Sequence, residues 1–170
     1  MIKKLGFVAL AALCLATPAF AADKLTVETS KGCSFDIKLR SDLAPKHVAQ
    51  ITKLASAGFY DGIVFHRVID AFMAQTGDPT GTGAGGSKEP NIPAEFTKEH
   101  FTRGVVGMAR TADPNSANSQ FFITYADAGF LDGQYTVWGQ VDDTGMACVD
   151  KIAKGEPPAN PDKMTKVTVQ

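Results

Sequence analysis

Phe65-His66-Arg67-Val68-Ile69, followed after a short break by Phe72-Met73-Ala74-Gln75, is the stretch of this 170-residue chain whose reading decides the fold. Ile63, Phe65 and Val68, with one slip of phase, and then Phe72, Met73 and Gln75 keep the two-residue alternation of half-buried strands. An arginine inside such a run is costly to bury unless its guanidinium hydrogen-bonds to something specific. Composition alone favours a solvent-facing arginine; the large apolar residues on both sides leave a held one as the alternative.

The same alternation recurs along the chain. Leu25-Val27, Phe35-Ile37-Leu39, Val105 to Ala109, Gln120 to Ile123, Tyr135 to Val141 and Met164 to Val169 complete a set of eight short strands. That count predicts a mainly β domain, an antiparallel barrel or sandwich. The terminal strands carry no gatekeeper charges, so they are expected to pair and close a barrel. Ser30-Lys31-Gly32 marks a hairpin turn between the first two strands. Two segments read as helices. One follows Ser41-Asp42, with Pro45 in its first turn, an apolar face of Val48, Ile51, Leu54 and Ala55, and Gly58 at its end. The second runs from about Met146 to Ala153, before Gly155 and Pro157-Pro158. Thr80 to Ser87 and Glu156 to Asp162 read as surface loops.

At the N-terminus, Lys3-Lys4, the apolar run Leu5 to Ala16 and the break at Thr17-Pro18 before Ala19-Phe20-Ala21 have the form of a secretory signal peptide. Cleavage is expected after Ala21, giving a leader of residues 1–21, a single mature domain of residues 22–170 and a periplasmic or secreted location. No later run approaches the roughly 20 residues of a membrane-spanning helix, so no membrane contact is expected after cleavage. Lys plus Arg number 17 against 18 Asp plus Glu, which leaves no basic excess for nucleic acid. Cys33 and Cys148 remain in the mature chain, in a compartment that permits a bridge; a disulfide and two buried thiols both stay open.

Most catalytic devices are missing. The three histidines, His47, His66 and His100, have no metal-ligand spacing, and His47 and His66 read as structural. There is no G-x-S-x-G elbow. Gly81, Gly83, Gly85 and Gly86 are followed by Lys88-Glu89-Pro90 rather than a helix, which favours a flexible loop over a phosphate cradle.

Taken together, Phe65-His66-Arg67-Val68-Ile69, Phe72-Met73-x-Gln75, Met108-Ala109-Arg110, Asn118-Ser119-Gln120-Phe121-Phe122-Ile123 and Phe130-Leu131-Asp132-Gly133 resemble the successive signatures of the cyclophilins. These are the cyclosporin-type peptidyl-prolyl cis-trans isomerases, and the match runs in order from about Leu25 to Val169. The resemblance implies a closed eight-stranded antiparallel β-barrel capped by two α-helices and a reaction that needs neither metal nor cofactor; a monomer is expected, though the sequence itself does not reveal self-association. It assigns catalysis to Arg67, with Gln75 orienting it. It gives Phe72, Met73, Phe122 and Leu131 the proline pocket, Ala109 and Arg110 the backbone of an extended peptide, and Gln120 polar support. Phe130 stands where the best-known eukaryotic members often have tryptophan, and Tyr135 where they have histidine. Loss of the indole donor implies weaker binding of cyclosporin-type inhibitors. The partners implied are proline-containing peptides and unfolded exported proteins. A proline-binding holdase with little turnover and a carrier barrel for a small apolar ligand are the competing readings.

Overall fold

The computed structural model describes residues 22–170, so the expected leader lies outside the described residues. Strands β1 (Lys24–Thr29) and β2 (Ser34–Leu39) form the hairpin, in the register Leu25↔Ile37 and Val27↔Phe35. Leu25, Val27, Phe35, Ile37 and Leu39 are buried, while Lys24 and Asp36 pair at 2.7 Å on the other face. Gly32, at φ 71°, supplies the left-handed turn residue that an L side chain adopts only with strain.

Six further strands complete one antiparallel sheet: β3 (Arg67–Ile69), β4 (Met73–Thr76), β5 (Val105–Met108), β6 (Phe121–Thr124), β7 (Val137–Gln140) and β8 (Met164–Val169). Their order is β3-β4-β6-β5-β7-β2-β1-β8. The barrel is therefore not closed as the sequence led us to expect. The outer edge of β3 is taken by Gly155, which exchanges two 2.8 Å backbone hydrogen bonds with Val68. β3 does not pair with β8; the curled sheet meets itself instead through the segment before β3, where the Val64↔Lys163 bridge is flanked by bonds from Gly62 and Phe65 N–H to the Met164 and Asp162 carbonyls and from Met164 N–H to the Ile63 carbonyl. The run from Ile63 to Ile69 splits accordingly into a bridging segment and the three residues of β3.

Helix α1 (Pro45–Ser56) buries Val48, Ile51, Leu54 and Ala55 against β8 and β7. Its N-cap, Ala44, has no side chain to offer, and neither Ser41 nor Asp42 caps it. Glu95 does so from a distant loop, accepting from the backbone N–H groups of Lys46 and His47 and meeting His47 Nδ1 at 2.7 Å. Helix α2 (Asp143–Val149) starts earlier than expected because Asp142 caps it, accepting from Gly145 N–H at 2.7 Å, and it ends before Lys151-Ile152. Cys148 on α2 is bonded to Cys33, with Cα atoms 5.9 Å apart, tying the hairpin to this helix.

Alternation along the central strands divides their side chains between two apolar clusters. Ala74, Val106, Phe121, Ile123 and Trp138 join the main core within the curl. Met73, Val105, Phe122 and Val137 belong to a second cluster on the outer face, with Phe101, Ala128 and Leu131. β5 and β6 are thus buried on both faces, which explains why they read as continuous apolar runs.

Candidate active site

The strand register places the outer-face residues in one row. Arg67 pairs with Gln75, Gln75 with Phe122, Phe122 with Gly107 and Gly107 with Val137, crossing β3, β4, β6, β5 and β7. Gly107 is required for that row to lie flat. A Cβ there would be 2.5 Å from Phe122 Cζ and 2.7 Å from Phe101 Cε1, inside van der Waals contact. The Phe122 ring stacks on Phe101 at 5.8 Å and receives the edge of Tyr135 at 5.6 Å.

Above this row runs a groove of about 700 Å³, lined by Arg67, Phe72, Met73, Gln75, Ala109, Arg110, Phe122, Leu131 and Tyr135. Its size is that of a small-ligand site. Two residues of the sequence reading stand elsewhere. Phe130 is 65% exposed and lies outside the lining, packed on Phe72 with ring centroids 5.4 Å apart. Gln120 lines a neighbouring polar pocket of about 400 Å³ beside the glycine loop. The groove also holds residues the sequence did not single out for chemistry: His66, Gly81, Thr82, Gly83, Glu156 and Pro157. Nothing in the local pattern marks Glu156, because its partner is 89 residues away.

Arg67 is neither turned to bulk water nor engulfed. Its Nε donates to Glu156 Oε2 at 2.8 Å, and Nη1 approaches Gln75 Oε1 at 3.5 Å. Gln75 Nε2 in turn donates to Gln120 Oε1 at 2.9 Å, and Gln120 Nε2 donates to the carbonyls of Gly83 and Gly85. The relay thus ends in the loop that we expected to be flexible. That loop is wrapped around Asp78, which is 1% exposed and accepts from the backbone N–H groups of Thr80, Thr82, Gly83 and Gly85. Burial opposes the Asp78 charge, but the bonds from Thr80, Gly85 and Gly83 outweigh it and hold the carboxyl at about 2.

The far wall is fixed by polar contacts of its own. Arg110 donates to the Gln134 and Thr111 carbonyls and lies 4.5 Å over the Tyr135 ring. His100 bridges Asp132 at 2.6 Å and Asp127 at 2.8 Å, pinning the short turn Gly129–Leu131 that carries Leu131. Hydrogen bonds donated to Asp132 first and Asp127 second hold the His100 pKa above its ordinary value. His66 is buried at the lining of the groove, and that burial pushes its pKa below the ordinary histidine value.

A tethered cation beside an apolar recess, joined to an amide relay, is suited to hold a peptide rather than to cleave one. The cyclophilin type peptidyl-prolyl cis-trans isomerase family model matches residues 24–169. The chain belongs to that family. It is a cyclophilin-type peptidyl-prolyl cis-trans isomerase. A probable peptidyl-prolyl cis-trans isomerase of Brucella suis is 55% identical over 150 residues, covering 79% of this chain and 76% of the relative. A peptidyl-prolyl cis-trans isomerase-like 1 protein of Emericella nidulans is 41% identical over 137 residues, covering 77% and 82%. Among solved structures, the cyclophilin AquaCyp293 of Hirschia baltica superposes with a TM-score of 0.78 at 30% identity, over 88% of this chain and 74% of that one. A Cryptosporidium parvum cyclophilin crystallised in the presence of the dipeptide Ala-Pro superposes with a TM-score of 0.78 at 28% identity, over 86% and 98%.

In this cyclophilin the glycine loop is testable through Asp78. Because its pKa is lower folded than unfolded, its contribution is complete above about pH 4 and is lost as pH falls toward 2. At neutral pH, Asp78→Ala removes several charge-assisted bonds, and urea unfolding is expected to show a loss of about 2–3 kcal/mol. Unchanged stability in that variant would mean that Asp78 does not organise the loop.

Proposed function

We propose that this isomerase turns X-Pro bonds by binding the proline ring in the groove over Phe122 while Arg67 stabilises the twisted imide. The observation that carries the reading is the Arg67–Gln75–Phe122 row, which puts a hydrogen-bonding cation and an aromatic floor on one face of the sheet. Rotation about the imide has a barrier of roughly 18–20 kcal/mol because the nitrogen lone pair is shared with the carbonyl. Twisting returns that pair to a pyramidal nitrogen, which then accepts a hydrogen bond that the planar forms cannot. A guanidinium held at that point binds the transition state in preference to either ground state, which is what acceleration requires.

Phe72, Met73, Phe122 and Leu131 hold the ring still, so that the acyl part before it rotates. Gln75 accepts from Arg67 and its amide is kept in place by Gln120. Ala109 and Arg110 lie along the groove where an extended peptide backbone would run, and Tyr135 closes its edge. The partners we propose are proline-containing segments of exported proteins whose folding waits on slow isomerisation. Cyclosporin-type ligands would bind with reduced affinity, because Phe130 offers no indole N–H. The Cys33–Cys148 bridge supports an oxidising compartment, in keeping with cleavage of residues 1–21 and a periplasmic or secreted monomer. Intact mass of the exported protein tests this: an N-terminus at Ala22 is expected, and retention of residues 1–21 would reject it.

The pocket assignment is tested by Gly107→Ala. The added methyl displaces the Phe122 ring, an overpacking that destabilises by about 1–3 kcal/mol. Because the ring is held in ground and transition states alike, KM for a prolyl peptide should rise about fivefold with kcat little altered. An unchanged KM would remove Phe122 from the proline pocket.

A further inference from the structure

We propose that Glu156 is a positioning residue for the isomerisation, fixing the Arg67 guanidinium through Nε so that its Nη edge is presented to the groove. The inference rests on the assignment of Arg67 as the catalytic cation and adds to it a residue from the opposite end of the chain.

The backbone delivers Glu156 to this place. Val68 and Gly155 exchange hydrogen bonds of 2.8 Å in both directions, so the residue after Gly155 lies beside the residue before Val68. Glu156 Oε2 then accepts from Arg67 Nε at 2.8 Å, a good charge-assisted length. The bond from Nη1 to Gln75 Oε1, at 3.5 Å, is by comparison a weak tether. Gln75 alone would leave the planar fork free to swing about its long stem. A second hold on Nε fixes the plane, and because Nε is the nitrogen nearest the stem, the terminal nitrogens stay available. Among the described residues, Arg67 Nη2 makes no hydrogen bond.

The side chain of Glu156 has no evident structural duty. It is half exposed, and its hydrogen bond to Arg67 is its only one among the described residues. The Gly155–Val68 backbone bonds hold the segment whatever side chain follows. Shortening Glu156 therefore leaves no cavity and no buried orphan, and the fold should survive intact.

The experiment compares the parent with Glu156→Ala and Glu156→Gln in cis-to-trans kinetics on a short prolyl peptide, alongside the NMR signal of the Arg67 Nε–H. In Glu156→Ala, kcat should fall about three- to fivefold with KM nearly constant, the signature of an interaction that acts in the transition state. The Nε–H signal should exchange with water faster than in the parent. Glu156→Gln keeps an acceptor oxygen, so most of the activity and a protected Nε–H should return. A protected Nε–H in Glu156→Ala, a change confined to KM, or undiminished kcat would each overturn the proposal. Arg67→Ala separates the two levels. If it is inactive while Glu156→Ala is fully active, Glu156 has no role; if Arg67→Ala itself is fully active, the reading of Arg67 fails.

Discussion

Arg67→Ala is expected to lower kcat/KM for cis-to-trans isomerisation of a prolyl peptide by about 10²–10³-fold, the loss typical of removing one preorganised donor aimed at charge that develops in a transition state. The loss should fall on kcat, with KM changed little, because the planar imide offers Arg67 no lone pair in the ground state. Arg67→Lys should recover only part of it. A lysine keeps the charge but lacks the rigid fork that Glu156 and Gln75 grip from two sides. Arg67 is partly exposed, so truncation leaves the fold intact and the kinetic effect can be read without a stability correction. Equal kcat/KM in parent and variant would reject the mechanism, and a peptide still bound at parental affinity with no turnover would confirm that holding and turning are separable.

Loss of the Cys33–Cys148 bridge should give the largest change in stability. The bond closes a loop spanning 115 positions, and restricting the unfolded chain over such a length contributes about 3–5 kcal/mol in the chain-entropy account. The double variant Cys33→Ala/Cys148→Ala should therefore melt about 10 °C lower than the oxidised parent. Parent protein treated with reductant should move to the same midpoint. Both cysteines pack with the main core rather than the groove cluster, so isomerase activity well below the transition should be retained. Coincident urea transitions for parent and variant would show that the bridge contributes nothing.

The candidate site residues were named by the resemblance to the cyclophilins, and strand periodicity explains why several of them share one face of the sheet. Met73 and Gln75 fall on the same face of β4, two residues apart, and Phe122 lies opposite Gln75 once the strands pair. The slip of phase between Phe65 and Val68 marked a real event, the point where the bridging segment gives way to β3. Helix α2 was expected from about Met146 to Ala153 but runs from Asp143 to Val149, because the Asp142 side chain caps it by accepting from Gly145 N–H. The tight glycine loop was misread as flexible since its order comes from one buried carboxylate, Asp78, and a single carboxylate in a polar run has no local signature.

The amino-acid order alone determined which elements exist, which faces of them are apolar, and that Arg67 sits inside a strand where a solvent-facing cation would be the simpler outcome. These are local properties, set by side-chain spacing against a period of two or 3.6 residues. Tertiary structure alone decided that Glu156 meets Arg67, that Glu95 caps α1, that Cys33 reaches Cys148, and that β3 and β8, at the two ends of the curled sheet, do not pair with each other. Each depends on where segments distant in sequence come to rest, and that is settled by the packing of the whole core around the sheet.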